Sequence, residues 1–422
     1  MNDWLTLYRE KKVSLETAVA TIQSEHNIFL APFCNEPQTL VSELIQQRER
    51  LKGATLYNVI VGSPSLYAVS DNYKYFKIRS FLSSSKLKKA FLEGDCDYIP
   101  LNLSEIPEWI SHGKMDVAMI QVTPPNKAGF CNLGISVDVV PSLVKHATVV
   151  IAEVNEDLPW TNGETQIHVS NIDYFVESKQ PLLSIPNEKP NDTELKIGHY
   201  VAELIPDYAT IQLGVGKVAN SIMLALKDKR GLGIHSGSII DAVIDLIEMG
   251  VITNERKEID TYQTVCTALT GSDKLYRYCH ENEGIQLLPA DYTHNAAVIS
   301  KISNFYAINS SLEVDIFGQI NAEQVSSYPV AGVGGQMDFI QGAKLSQGGK
   351  SIIALPSTAK QGLESRIKAK IPYVTSVKSD IDYVVTEYGI ASLHGKSLKE
   401  RAKQLIAIAH PDFREELSES LF

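Results

Sequence analysis

Residues 231–242, GLGIHSGSIIDA, combine an apolar run, the polar pair His235 and Ser236, and a segment with the pattern of a helix start. A strand that ends in polar residues and turns into a helix is where α/β enzymes often place reactive groups. The residue at the turn is Gly237, which carries no reactive group. The sequence thus indicates either that the chemistry lies elsewhere or that a reactive side chain is missing from this position.

A glycine-rich turn, LGVGKVANSI at residues 213–222, follows a predicted strand and opens a predicted helix. Gly214 and Gly216 allow the backbone to approach a ligand, and the free N–H groups of a helix start can hold an anion or a polarised carbonyl oxygen. The turn does not match G-x-G-x-x-G, because residue 219 is alanine. Glycine at a tight strand-to-helix turn also has a purely steric explanation, so the turn alone does not decide between the two.

A second glycine-rich segment, YPVAGVGGQMDFIQGAK at residues 328–344, contains Gly332, Gly334 and Gly335, with Gln336 and Asp338 directly after them. Packing alone would not require such a loop. Its backbone amides are candidates for an oxyanion hole or for a grip on a phosphate-bearing group. The alternative is a flexible surface loop.

Three acidic side chains are candidate site carboxylates: Glu313 and Asp315 in an alternating polar and apolar segment, and Glu387 at a predicted strand end. Carboxylates on a solvent face, or carboxylates hydrogen-bonded for structural reasons, explain the same pattern. The ten histidines show no metal-ligand spacing such as H-E-x-x-H, so the sequence predicts no metal site.

Short apolar, β-branched runs alternate with amphipathic segments along the chain, which is typical of α/β folds with largely parallel sheets. The predicted strands lie at 56–62, 116–122, 147–154, 209–216, 351–357 and 382–389. The clearest predicted helices lie at 36–51 and 218–229, and the pattern at 410–417 predicts a turn and a final helix.

The two halves share the order strand, small-residue turn, helix, basic connection and strand. We therefore predict two similar open α/β domains, residues 1–187 and 188–422, with one site able to lie between them. The boundary is placed in LLSIPNEKPND at 182–192, whose Pro, Asn and Asp content is typical of a connection.

Composition limits the classes of partner. A formal net charge of −11 argues against nucleic acid or an anionic membrane, so an anionic substrate would need local positive potential from helix N-termini or a few lysines. The N-terminal stretch lacks the apolar core of a signal peptide, and no apolar run has the length of a membrane span. Five scattered cysteines without a C-x-x-C pair argue against disulfides and zinc, which favours the cytoplasm.

Several segments, taken in order, are more specific than any single motif. They are QVTPPNKAGFCNLGISVDVV, IQLGVGKVANSI, GLGIHSGSIIDAVIDLIEMGVITN, NSSLEVDIFGQIN, GVGGQMDFIQGA, LPSTAK, VTEYGIASLHGKSLKERA and HPDFREEL. Together they resemble the acetyl-CoA hydrolase/transferase family, which includes acetate and 4-hydroxybutyrate CoA-transferases. The resemblance covers nearly the whole chain.

The resemblance implies a CoA-transferase-like pair of α/β domains, a homodimer, and exchange of CoA between an acyl-CoA and a small carboxylate. In that reaction a glutamate attacks the thioester to give a mixed anhydride, and returning CoA forms a glutamyl–CoA thioester. The residues that the resemblance places against CoA are Gly214, Val215, Gly216, Lys217, Val218, Gly334, Gly335, Gln336 and Lys360.

This chain departs from the family at one position. The family's catalytic glutamate follows the His-Ser pair, where this chain has Gly237, although His235, Ser236 and Asp241 fit the family pattern. The expected catalytic position is therefore Gly237 with His235 and Ser236 beside it. Glycine can form neither the anhydride nor the glutamyl thioester.

Four hypotheses follow. The leading one is a CoA-transferase-type protein that acts on short acyl-CoA thioesters but lacks the glutamate, because most of the resemblance lies in substrate-binding segments. The second is altered acyl-CoA chemistry, namely hydrolysis, acyl transfer to another nucleophile or decarboxylation, in space that the missing side chain leaves. The third is a protein that binds acyl-CoA without turning it over. The fourth is substitution of the glutamate by Asp241, one helical turn along.

Overall fold

A computed structural model describes residues 3–61, 65–178, 180–185, 188–326 and 328–421, and the structural statements below concern these residues. By packing, the chain divides into two compact units. The first unit comprises Met1–Ile185, Thr267–Asp291 and Tyr328–Gly334. The second comprises Pro186–Cys266, Tyr292–Ser327 and Gly335–Phe422.

The first unit contains a seven-stranded sheet in which every pair of neighbours is parallel. Its strands are β1 (Asn27–Leu30), β2 (Thr55–Ile60), β3 (Lys77–Leu82), β4 (Cys96–Tyr98), β5 (Val117–Val122), β6 (Val149–Val154) and β7 (Tyr174–Glu177). They lie in the order β7-β6-β5-β1-β2-β3-β4. Ile28, Val117 and Met119 are fully buried, as expected of strands covered on both faces.

The second unit contains a six-stranded sheet that is parallel except for its last pair. Its strands are β8 (Thr210–Leu213), β9 (Gly233–Ile234), β10 (Phe305–Asn309), β11 (Lys350–Ala354), β12 (Tyr383–Thr386) and β13 (Gly389–Ser392). They lie in the order β9-β8-β10-β11-β12-β13.

Outside the two sheets lie α-helices, short 3₁₀ helices, and strands of two or three residues. The α-helices are Asp3–Lys11, Leu15–Ala20, Gln38–Gln46, Lys88–Glu93, Ile106–His112, Val140–His146, Asp192–Leu204, Lys217–Ala225, Asp241–Glu248, Asp273–Cys279, Ala290–Thr293, Ala296–Ile299, Gln336–Leu345, Leu398–Ala407 and Arg414–Glu419. The short strands are Phe130–Asn132, Asn162–Gly163, Gln166–His168, Ser238–Ile239, Thr264–Cys266, Ala268–Leu269, Ile285–Leu287, Glu313–Asp315, Ile320–Asn321, Gln324–Val325, Tyr328–Pro329, Thr358–Ala359, Glu364–Ser365 and Ile367–Lys368.

The predicted fold class, α/β with largely parallel sheets, is confirmed. All six predicted strands belong to the two sheets, although Gly62, at the end of the first, lies outside the described residues. The similarity between the halves is also visible in the structure. In each unit a strand leads through one helix to a parallel neighbour, from β1 to β2 and from β8 to β9.

The predicted domain boundary falls on residues 186 and 187, which lie outside the described residues, and a single cut after residue 187 stays a prediction. By packing, two later segments, Thr267–Asp291 and Tyr328–Gly334, belong to the first unit. Among the described residues, no helix is both long and apolar enough to span a bilayer. All five cysteines are buried and unpaired.

Candidate functional site

The parallel pairing of β8 and β9 places the first glycine-rich turn beside the His-Ser pair. Ile211 lies opposite Ile234, so both strands end at the same edge of the sheet. The hydroxyl of Ser236 donates to the Leu213 carbonyl at 3.1 Å and accepts from the Leu213 N–H at 3.4 Å. Ser236 therefore joins the two strand ends through its side chain, and Gly237 lies next to this connection.

The turn Gly214–Gly216 leaves its backbone accessible. All three of its residues are exposed, and an ideally placed Cβ on Gly214 or on Gly216 would meet no atom within 4 Å. Gly216 has φ of +98°, a conformation that disfavours any residue with a side chain. Val215 exposes 53% of its surface. The turn thus offers both backbone amides and an apolar contact.

Lys217 and Val218 begin the helix Lys217–Ala225, which has no side-chain cap at its N-terminus. The ammonium group of Lys217 lies 3.5 Å from a carboxylate oxygen of Glu188, and both side chains are largely exposed. The Val218 carbonyl accepts a hydrogen bond from the Ser221 hydroxyl at 2.7 Å. The first N–H groups of this helix therefore supply local positive potential, whereas Glu188 offsets part of the charge of Lys217.

His235 is fully buried and tied to the backbone. Its Nε2 donates to the Thr293 carbonyl at 2.9 Å, which leaves the lone pair on Nδ1 without a partner among the described residues. Burial, reinforced by the nearby ammonium group of Lys257, lowers the pKa of His235 to about 3. His235 is thus a neutral imidazole at neutral pH, with its proton on Nε2.

Lys257 is a buried cation that holds the end of β9. Its ammonium group donates to the carbonyls of Ile234 at 3.0 Å and Gln263 at 2.7 Å. Burial lowers the pKa of Lys257 to about 8, although the carboxylate of Asp260 acts in the opposite direction. This lysine fixes the carbonyl directly before His235.

The space beside Gly237 is filled by His294. An ideally placed Cβ on Gly237 would lie 2.8 Å from Nε2 of His294 and 3.1 Å from its Cε1, which is closer than real Cβ contacts. His294 is itself only 2% exposed. The expectation that the missing side chain leaves room for water or a bulkier substrate is therefore wrong along the Cα–Cβ direction, because an imidazole ring occupies it.

The same ring lies against a second glycine. A Cβ on Gly335 would lie 2.3 Å from Cδ2 and 2.6 Å from Nε2 of His294. The ring packs at 4.6 Å from Phe339, and its Nδ1 is 2.8 Å from the Thr293 hydroxyl. Burial lowers the pKa of His294 to about 3, so this imidazole is also neutral at neutral pH.

The backbone of the second glycine-rich segment forms hydrogen bonds within the first unit. In the first unit, the Gly334 carbonyl accepts from the Leu103 N–H at 3.0 Å, and the Val333 N–H donates to the Tyr98 hydroxyl at 2.9 Å. Gly332 approaches the chain so closely that a Cβ there would lie 2.6 Å from the Phe81 carbonyl oxygen.

In the second unit, Gly335 directly precedes the helix Gln336–Leu345. The side-chain amide of Gln336 donates to the Ser376 hydroxyl at 2.8 Å. This bond fixes the side chain in the first turn of the helix that begins beside His294.

Lys360 lies in a strained, exposed turn. Its φ is +49°, and its ammonium group forms an ion pair with Glu364 at 2.6 Å. The ammonium group of Lys360 is thus joined to Glu364 rather than to another predicted site residue.

The three candidate carboxylates all have structural hydrogen bonds. Glu313 accepts from the Asn321 side chain at 3.1 Å, and Asp315 accepts from two backbone N–H groups of its own turn. Glu387 accepts from both the N–H and the hydroxyl of Ser357 at 2.8 and 2.7 Å. The structural explanation of these side chains is therefore sufficient. Among the described residues, no group of three or more His, Cys, Asp and Glu side chains could hold a metal ion.

Sequence patterns indicated the turn and the His-Ser pair, but they missed His294, Thr293 and Lys257. His294 matches no metal-ligand spacing in the sequence. A search for a polar residue able to face Gly237 requires the fold, since nothing in the local sequence ADYTHNAA distinguishes this histidine.

Comparisons with known proteins agree with this architecture. Models of the acetyl-CoA hydrolase/transferase N-terminal and C-terminal domains match residues 2–185 and 271–421. The chain is 40% identical over 420 residues to the 4-hydroxybutyrate coenzyme A transferase of Clostridium kluyveri, covering 98% of each chain. The crystal structure of RipA from Yersinia pestis matches with a TM-score of 0.93 and 33% identity over 99% of this chain and 98% of RipA. The crystal structure of a 4-hydroxybutyrate CoA-transferase from Porphyromonas gingivalis matches with a TM-score of 0.84 and 33% identity over 99% of each chain.

Proposed function

Because the chain belongs to the acetyl-CoA hydrolase/transferase family, we propose that it binds short acyl-CoA thioesters and transfers CoA from them to a small carboxylate. The observation that carries this proposal is the open turn Gly214–Gly216, which the Ser236 hydroxyl holds beside Gly237. The relatives that support the substrate class are CoA-transferases for 4-hydroxybutyrate.

Coenzyme A needs both apolar and positively charged contacts, and the turn offers both. Exposed Val215 would contact the apolar part of the pantetheine arm, while the N–H groups that begin the helix Lys217–Ala225 would face anionic or carbonyl oxygens. Lys217 and Lys360 would attract the phosphates against a net charge of −11. The amides around Gly335 would stabilise the thioester oxyanion.

Transfer at this site proceeds without a glutamyl intermediate, since Gly237 has no carboxylate. The acceptor carboxylate itself attacks the thioester carbonyl, a C–O bond forms, and the C–S bond breaks as CoA leaves as the thiolate. The intermediate formed in this step is a mixed anhydride of the two acids. The thiolate then attacks the acceptor's carbonyl carbon, and the donor acid leaves as its carboxylate.

The kinetic consequence is a ternary complex rather than a ping-pong cycle. We expect initial rates measured against acetyl-CoA and 4-hydroxybutyrate to give intersecting double-reciprocal lines, with 4-hydroxybutyryl-CoA as the product. Parallel lines would show that a covalent enzyme intermediate forms. Failure to bind acetyl-CoA, together with no new acyl-CoA, would overturn the proposed function.

Gly214→Ala is expected to weaken CoA binding without a loss of stability. A methyl group at this position meets no atom within 4 Å and the backbone needs no positive φ, so only an approaching ligand would feel it. We expect the Kd for CoA to rise about tenfold, which corresponds to about 1.4 kcal/mol. Calorimetric titration and thermal unfolding check the two halves of the prediction. Gly284→Ala, an exposed glycine whose Cβ would meet only an Asn282 side-chain oxygen at 3.3 Å, is the matched control.

We further propose that the protein is a cytoplasmic homodimer. The proposal rests on the family resemblance and on the five unpaired cysteines. Analytical ultracentrifugation of the purified chain tests the assembly, and a monomer at micromolar concentration would contradict it.

A further inference from the structure

We propose that a cavity in the first unit binds a free α-amino acid with an apolar side chain. The cavity has a volume of about 450 Å³, which lies within the range of small-molecule sites. All of its lining residues belong to the first unit, and the proposed transfer of CoA uses none of them. The inference is therefore independent of the proposed function.

The cavity lies where two neighbouring strands of the first sheet end. β6 and β7 are parallel and Val154 lies opposite Glu177, so the chain leaves both strands at the same edge of the sheet. The segment after β6 supplies Glu156–Pro159 to the cavity, and the segment after β7 supplies Pro181 and Leu182. Connections at the carboxyl edge of a parallel sheet are where α/β proteins place their ligand contacts.

One face of the helix Asp273–Cys279 forms the third wall. Asp273, Arg277 and His280 have the spacing i, i+4 and i+7, which places them along one side of the helix, and all three line the cavity. Nδ1 of His280 accepts a hydrogen bond from the Trp160 N–H at 2.9 Å. The proton of the neutral ring is therefore on Nε2, so both His280 and Arg277 can donate hydrogen bonds.

Hydrogen bonds join the three walls, so the cavity is formed before a ligand enters. The bond from the Trp160 N–H connects the end of the helix to the segment after β6. The Tyr276 hydroxyl donates to the Leu183 carbonyl at 2.7 Å, which connects the helix to the segment after β7. The side-chain amide of Asn155 donates to the Gln180 carbonyl at 3.0 Å and connects the two segments. A preformed site loses less conformational entropy when it binds a ligand.

Charged side chains of both signs line the cavity without neutralising one another. Among the described residues, Arg277 has neither an ion pair nor a hydrogen bond, and the carboxylates of Glu156 and Asp157 have no ion-pair partner. Arg277 and His280 thus offer donors to a carboxylate, whereas Glu156, Asp157 and Asp273 offer acceptors to an ammonium group.

This arrangement favours a zwitterion over a ligand with a single charge. Three acidic side chains would repel a ligand that carries only a carboxylate, and a ligand that carries only an ammonium group would leave Arg277 and His280 without an acceptor. Pro159, Pro181 and Leu182 add apolar surface between the charged groups. An α-amino acid with an apolar side chain supplies a partner for each of these three features.

Calorimetric titration of the whole protein at pH 7 tests the chemical class of the ligand. The probes are L-leucine, N-acetyl-L-leucine, which lacks the ammonium group, and L-leucinamide, which lacks the carboxylate. We expect L-leucine to bind saturably and each analogue to bind at least about tenfold more weakly, because each loses one charge-assisted contact. Equal affinity for either analogue would overturn the inference. So would the absence of saturable binding of L-leucine, L-valine and L-phenylalanine up to about 10 mM.

Substitutions test whether the ligand occupies this cavity. We expect Arg277→Gln to weaken L-leucine binding about tenfold and to leave L-leucinamide binding unchanged, because the guanidinium contacts the carboxylate. Glu156→Gln combined with Asp157→Asn should weaken L-leucine binding by a similar factor and should not weaken binding of N-acetyl-L-leucine. Arg9→Gln and Glu164→Gln are matched controls, because both side chains are exposed and neither lines the cavity. Unchanged L-leucine binding in Arg277→Gln and in the double variant would show that the amino acid binds elsewhere and would contradict the proposal.

Discussion

Gly237→Glu by itself is expected to destabilise the protein and to yield no glutamyl thioester, whereas Gly237→Glu combined with His294→Ala is expected to form one. The reason is steric. The new Cβ would lie 2.8 Å from Nε2 of His294, inside a close-packed cluster that includes Phe339. Overpacking of this kind costs about 1–3 kcal/mol, and removal of the imidazole relieves it.

Thermal unfolding and intact-protein mass after incubation with acetyl-CoA check this pair of variants. His294→Ala alone serves as the control for the cavity that the missing ring creates. We expect the double variant to lose less free energy of unfolding than the two single variants lose in sum. We also expect it to gain a hydroxylamine-sensitive CoA adduct. If Gly237→Glu alone were as stable as wild type and formed the adduct, the space beside Gly237 would be open and our description of it would be wrong.

His294→Gln is also expected to change how stability depends on pH. The pKa of His294 is about 3 in the folded protein, against an ordinary value of 6.5, because the ring is buried. Between these values the unfolded chain binds more protons, so this group favours folding above pH 6.5 and loses that contribution as pH falls toward 3. The loss amounts to about 1.4 kcal/mol for each pH unit below 6.5.

Urea denaturation at pH values from 8 to 4 measures the difference in the free energy of unfolding between wild type and His294→Gln. The variant must be compared with wild type, because other groups also make stability depend on pH. Burial raises the pKa values of Glu36 and Asp138 to about 7, so these two carboxyl groups increase stability as pH falls over the same range. We expect wild type to lose stability relative to the variant as pH falls. A constant difference would show that the imidazole titrates normally and is not buried.

Much of the site's framework follows from local sequence. The runs at 209–216 and around 231 predict strands that end in a glycine turn and a polar pair, and parallel pairing brings two such ends to one sheet edge. The family resemblance predicts that Gly237 stands where the family has glutamate. The sequence does not show what fills the space along the Cα–Cβ direction of Gly237. His294 comes from a distant segment, and only the tertiary fold places its ring there.

The division of the chain was harder to predict for a similar reason. Composition marks a connection near residue 185, but it cannot show that Thr267–Asp291 and Tyr328–Gly334 return to pack in the first unit. Gly334 and Gly335 look like one motif in sequence, yet their neighbours in space belong to different units. Long-range packing, rather than local propensity, decides such cases.

The most direct test of transfer without a glutamyl intermediate is the mass of intact protein quenched during turnover of acetyl-CoA and 4-hydroxybutyrate. We expect 4-hydroxybutyryl-CoA to accumulate while the protein keeps its unmodified mass, because Gly237 cannot carry CoA. A hydroxylamine-sensitive gain of one CoA on the wild-type chain would contradict it.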